Sequence, residues 1–194
     1  METPNRGTGA GGANTNLHGK TFEVNTDNES FLLLNGFERS VIKGKSKAKF
    51  NYKLSKKFED KSVIYLSQGG LKTYFLEKYN IELCRNPDEA YVIEYNSGKK
   101  VLKILEKKEQ RVEGSVETKL WSAVMFKEEY EFFLGEDFSV EYAYCVSDFL
   151  ANKFEMPDKK FKYLKSAFTK HNIGLFYGDN EDYTEKLNKW VFDE

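Results

Sequence analysis

The chain has 194 residues, of which 40% are hydrophobic, 31% charged and 15% aromatic, with a formal net charge of -1. That composition supplies a core for one compact domain and excludes a disordered or fibrous chain. The near-neutral balance neither announces a nucleic-acid binder nor excludes one, because local patches govern binding.

No run of about 18 apolar residues occurs, so no membrane-spanning helix is expected. The N-terminus lacks an apolar signal core. Cys84 and Cys145 are far apart and lack zinc-ligand spacing. They read as two buried free thiols of a reducing compartment, with a disulfide as the alternative. The expectation is a soluble cytoplasmic protein.

Met1 to Gly12 is rich in Gly, Thr, Pro and Asn and reads as a tail. Thr15 or Asn16 can cap a helix carrying Leu17, Phe22, Phe31 and Leu34, ending near Asn35-Gly36. A basic arm follows at about residues 39–61. It holds Arg39, Lys43, Lys45, Lys47, Lys49, Lys53, Lys56, Lys57 and Lys61, interleaved with Phe50, Tyr52 and Phe58. Partial alternation from Val41 to Leu54 suits a strand or ribbon. It is either a lysine-rich edge that discourages aggregation or an arm gripping phosphates.

Val63 to Leu66 predicts a strand, broken by Gly69-Gly70. Leu71 to Tyr79 predicts a helix with Leu71, Phe75, Leu76 and Tyr79 on one face. Ser115 can cap a helix whose face holds Val116, Leu120, Ala123 and Val124. Phe138 to Val146 is β-branched and aromatic, as strands are. Pro157-Asp158 opens a helix with Phe161, Leu164 and Phe168. Ile173 to Tyr177 predicts a last strand, and Tyr183 to Val191 a last helix. The whole predicts a single mixed α/β domain over residues 1–194, with a sheet antiparallel at one hairpin.

That hairpin, from Pro87 to Lys108, carries the chemistry. Glu106 and Lys108 are two apart on a strand, so they share a face about 6.6 Å apart. A two-residue Ser97-Gly98 loop would place Asp88 opposite Lys107, facing away. A three-residue Asn96-Ser97-Gly98 loop places Asp88 opposite Glu106, and a glycine in its third position suits that loop. The odd loop is therefore expected, with Asp88, Glu106 and Lys108 converging. Two carboxylates about 4 Å apart repel by roughly 4 kcal/mol at an effective dielectric near 20. A divalent magnesium or manganese ion reverses that repulsion, activates water and stabilises phosphate charge. Lys108 can then orient or deprotonate the water, or neutralise the transition state. Glu94, at the turn end, reads as a solvated strand-end acid.

Pro87-Asp88 with Glu106-Lys107-Lys108 resembles the PD-(D/E)XK nuclease superfamily. Gly11 to Asn16 with Gly19 and Phe22-Glu23, and Glu106 to Gln110 with Glu113 to Leu120, resemble blocks of type II restriction endonucleases, and similar sequences occur in large DNA viruses. The matched blocks cover about residues 9–23 and 86–121. The resemblance implies a restriction-endonuclease-like core, a mixed β-sheet flanked by helices. It implies metal acids at Asp88, Glu106 and Glu23, the lysine at Lys108, and Gln110 near the phosphate or water. Glu109 departs from the Asn usual before that glutamine. The implied activity is Mg²⁺-dependent cleavage of double-stranded DNA, with Mn²⁺ as substitute, by a homodimer at a short palindromic site. Structure-specific repair or recombination cleavage is the alternative on the same fold, and an inactive DNA-binding module a further one. Lys43 to Lys57 and Lys159 to Lys170 are the candidates for backbone grip.

Overall fold

Seven strands form one sheet whose spatial order follows the chain, β1 to β7. They are β1 (Glu38–Val41), β2 (Tyr52–Lys57), β3 (Lys61–Ser67), β4 (Glu89–Tyr95), β5 (Lys100–Lys108), β6 (Ser139–Val146) and β7 (Ile173–Tyr177). This computed structural model describes residues 21–42, 52–112 and 114–193. The glycine-rich lead-in and Lys43, Lys45, Lys47 and Lys49 lie outside the described residues.

The first five strands pair antiparallel. The last three, β5, β6 and β7, run parallel. Parallel neighbours need long crossovers. Helices α3 (Val116–Leu120) and α4 (Ala123–Leu134) make the first, α5 (Asp148–Glu155) and α6 (Lys159–Lys170) the second. Helix α1 (Glu29–Leu34) precedes β1, α2 (Gly70–Tyr79) joins β3 to β4, and α7 (Tyr183–Phe192) closes the chain. The expected α/β class with a mixed sheet flanked by helices is the architecture found.

Strand periodicity gives the sheet two apolar faces. On one, Ile64, Leu66, Val92, Leu102, Ile104 and Tyr142 pack against residues of α2 through α6. On the other, Val63, Tyr65, Tyr91, Val101, Leu105 and Cys145 pack against Phe22, Leu32 of α1 and Leu187 of α7. Lys61 and Lys103 reach the end of α7, donating to Phe192 O and Trp190 O at 2.6 Å each. Cations at a helix C-terminus satisfy its orphan carbonyls and complement its dipole.

Several expectations change. The first helix does not run unbroken to Asn35: residues 21–25 are helical, and α1 restarts at Glu29. Thr26 sits at the break and donates its hydroxyl to Phe22 O at 2.7 Å. Leu32 is fully buried in place of Leu34, which is 88% exposed. In α2 the fourth apolar position is Tyr74, while Leu76 is 53% exposed. The helix expected from Ser115 is interrupted at Trp121-Ser122. Both cysteines are free thiols, but Cys84 is exposed rather than buried. Asp158 does open α6, accepting from the Lys160 and Phe161 backbone N–H groups.

Candidate active site

The β4–β5 hairpin pairs Glu89 with Leu105 and Glu94 with Lys100. The Tyr95 backbone N–H donates to Lys99 O at 2.9 Å, and Gly98 N–H to Tyr95 O at 2.9 Å. Asn96, Ser97 and Gly98 are therefore the loop, with Gly98 at φ +92°. One step beyond Glu89, the register sets Asp88 opposite Glu106. The odd loop and its parity stand as expected.

Asp88, Glu106 and Lys108 meet on the sheet face covered by α2 to α6. Lys108 Nζ lies 2.6 Å from Glu106 Oε2 and 3.6 Å from Asp88 Oδ2. The Lys107 backbone N–H donates to Asp88 Oδ2 at 2.7 Å, which ties that carboxylate to the neighbouring strand. Burial pushes the Glu106 carboxyl above its usual range, and the Asp88 carboxylate adds to the push while Lys108 opposes it. Burial works against the Lys108 ammonium, yet the two carboxylates outweigh it and raise its pKa.

The walls of this cluster are aromatic. The Lys108 ammonium stands 5.9 Å from the Tyr144 ring centroid. Tyr144 Oη donates to Lys119 O at 3.1 Å, linking the cluster to α3. The buried Tyr142 hydroxyl feels Glu106 and lies beside the Tyr144 hydroxyl, with no well-formed hydrogen bond among the described residues.

Among the described residues, no group of three or more His, Cys, Asp and Glu side chains is gathered to hold a metal. Two carboxylates nonetheless suit magnesium, which commonly takes one or two and keeps water and substrate phosphate as its other ligands. The donor set therefore fits a hard divalent cation sharing its shell with water.

Glu23 is not gathered with Asp88 and Glu106 into one set of metal-holding acids among the described residues, although it shares a cavity with Asp88. The Glu23 backbone carbonyl accepts from Lys107 Nζ at 3.1 Å on the opposite face. Glu23 lines a cavity of about 270 Å³ with Asp27, Glu29 and Glu89, and that cavity reaches Asp88 at the start of β4. Gln110 is also occupied elsewhere. Its amide donates to Val112 O at 2.7 Å and accepts from the Glu117 N–H at 2.9 Å, so it shapes the loop before α3. Glu94 is a strand-end acid, but partly buried rather than solvated, bonded by Lys78 at 2.5 Å and Tyr79 at 2.6 Å.

Of the described arm lysines, Lys56 donates to Asn35 O at 2.7 Å at the end of α1. Lys53 lies 5.1 Å from the Tyr74 ring centroid. Lys57 is exposed.

One pair was missed by sequence reasoning. Glu89 and Lys107, each next in sequence to a member of the cluster, form a buried ion pair at 2.6 Å on the opposite face. Tyr91 Oη donates to Glu89 at 2.7 Å, and the Asn28 N–H donates to it at 3.2 Å. Burial pushes the Glu89 carboxyl up, against the pull of Lys107. The anion thus meets the start of α1 and the cation the end of the 21–25 segment, both as helix dipoles favour. Its only signal in the sequence is two charges at alternating positions that should otherwise be apolar.

No protein-family model, curated protein or solved structure matches this chain.

Proposed function

We propose that the chain is a metal-dependent DNA endonuclease hydrolysing phosphodiesters of duplex DNA at a short specific site. The observation that carries the reading is the convergence of Asp88, Glu106 and Lys108 on one face at the end of a rigid hairpin. Asp88 and Glu106 are the residues that would hold Mg²⁺, or Mn²⁺ in its place. When bound, such an ion stabilises charge on the phosphate and makes water a better nucleophile.

The residues of the chain then have separate tasks. Lys108 is placed to donate to the attacking water or to a phosphate oxygen, where negative charge grows in the transition state. The Asp88 carboxylate is held in one orientation by the Lys107 N–H. Tyr130 and Tyr142, near enough to feel Glu106, and Tyr144, beneath Lys108, are buried and lower the local dielectric, which strengthens each charge contact there. Water adds to phosphorus, the bond to the leaving oxygen breaks, and that oxygen takes a proton. The resemblance to type II restriction endonucleases supports a 5′-phosphate product and a homodimer on a palindromic site. The basic arm is the proposed phosphate grip.

Incubation of the protein with long duplex DNA and Mg²⁺ tests this reading. Discrete bands on a gel are the expected result. A smear, or cleavage of branched DNA alone, supports a structure-specific nuclease instead. Binding without any cleavage in Mg²⁺ or Mn²⁺ identifies an inactive module.

A further inference from the structure

Beside the cluster lies an aromatic surface that the cleavage reading does not use, on the helix whose lysines are candidates for backbone grip. Trp121, at the end of α3, stacks on Tyr163 of α6 with ring centroids 5.8 Å apart and planes 15° from parallel. The pair is not a core contact, since Trp121 is 39% and Tyr163 66% exposed. Stacked aromatics left open to water are a costly use of apolar surface.

The charge that α6 itself brings has one sign. Along its length, Lys159–Lys170, α6 carries five lysines and no acid. Lys160 pairs with Glu117 and Lys165 with Glu155. Lys159, Lys162 and Lys170 are exposed and make no ion pair among the described residues. Spacings of four and seven set Lys159, Tyr163 and Lys170 in one stripe on the outer face of the helix. Buried Phe161, Leu164 and Phe168 fix the opposite face to the core.

Lys108 packs near Tyr144, and Tyr144 bonds the Lys119 carbonyl two residues before Trp121. The aromatic step therefore borders the catalytic cluster on the same sheet face. An exposed aromatic platform rimmed by unpaired lysines is complementary to one kind of ligand. Lysines take phosphates, while a ring face takes a base that is not already stacked in a duplex.

We propose that Trp121 and Tyr163, with Lys159, Lys162 and Lys170, bind an unpaired nucleotide of DNA next to the cleavage site. The inference rests on the nuclease reading for its choice of DNA. The base lies on the open face of the Trp121–Tyr163 step, and the flanking phosphates lie along α6. The surface adds a preference for DNA with a single-stranded end, flap or extruded base.

The test is a binding titration in EDTA, where no cleavage occurs. Fluorescein-labelled duplex is compared with the same duplex bearing a short single-stranded overhang. Wild type is expected to bind the overhang DNA about tenfold more tightly, the scale of one base stacked on an aromatic side chain. Trp121→Ala and Tyr163→Ala should lose that preference and keep the affinity for blunt duplex. Tyr163→Phe should retain it. The Lys159→Gln, Lys162→Gln, Lys170→Gln triple variant should weaken both and flatten the salt dependence.

Thermal melts matching wild type establish that each variant is folded. Equal affinity of wild type for the two DNAs overturns the proposal, as does an unchanged preference in Tyr163→Ala. Cleavage is scored separately on the same preparations with Mg²⁺. A protein that prefers overhangs but cuts no DNA retains this surface and loses the nuclease reading. One that cuts without any preference loses this surface alone.

Discussion

Asp88 and Glu106 stand opposite each other across the β4–β5 hairpin because Tyr95 and Lys99 close it around three residues. Gly98 makes that turn possible with a φ of +92°, a region that side chains rarely enter. The two carboxylates are thus set by strand register rather than by a mobile loop. A site built on strands holds its groups more closely than one built on loops.

The same hairpin carries its second ion pair on the reverse face, and that pair is the better target for stability. Glu89→Ala should destabilise the fold by about 3–5 kcal/mol, because it leaves Lys107 buried without its partner. Removing both charges, as in Glu89→Leu with Lys107→Met, should cost far less. Urea denaturation of the two variants measures the difference. A single-variant loss below about 1 kcal/mol, the scale of a surface pair, would show that the bridge does not hold the helices to the sheet.

Much of this fold was legible in the sequence because strands and helices leave different periods. Ile173 to Tyr177 and Leu71 to Tyr79 appear nearly as expected. The parity of the hairpin was legible as well, since a glycine in the third loop position selects the turn. Other features depend on partners distant in the chain. Helix α5 escaped notice although Ser147 and Asp148 open it. Ser147 Oγ, the cap one would look for, instead donates to Gln110 O at 2.9 Å. The break near Thr26 answers to Glu89 and Lys107, more than 60 residues away. Glu23 could be placed near the hairpin by resemblance, but not on which side of the sheet. Gly178 marks a similar long-range constraint: an added Cβ would stand 2.6 Å from Phe22 and 2.7 Å from Cys145.

Glu94 gives the fold an acid-sensitive contact away from the cluster. Burial pushes its carboxyl up, but the hydrogen bonds from Lys78 and Tyr79 outweigh burial and leave its pKa lowered. A carboxyl lowered in the folded state stabilises above its unfolded value, near about 4.3, and that contribution is lost as pH falls through the folded value. Wild type should therefore exceed Glu94→Gln in melting temperature at pH 7. The gap should close as the pH drops below about 4. A gap that is constant with pH contradicts the assignment.

The two thiols should behave differently towards an alkylating or aromatic disulfide reagent. Cys84 is exposed, whereas Cys145 is buried and its pKa is pushed up to about 12 by desolvation. A thiolate is the reacting species, so Cys145 should be inert in the native protein. Labelling is expected to reach one thiol per folded chain and two after denaturation. Two fast-reacting thiols in the native state would contradict the packing around β6.

The most direct test of the proposed catalytic role of Asp88, Glu106 and Lys108 is a single-turnover cleavage assay on wild type and Lys108→Ala, with DNA binding measured in EDTA on the same samples. The account predicts that wild type cuts duplex DNA in Mg²⁺. Lys108→Ala should cut slower by a factor on the order of 10²–10³, the usual loss on removing one charge-stabilising donor, with binding and melting temperature little changed. Normal turnover in Lys108→Ala, or a folded wild type that binds DNA and never cuts it in Mg²⁺ or Mn²⁺, would contradict it.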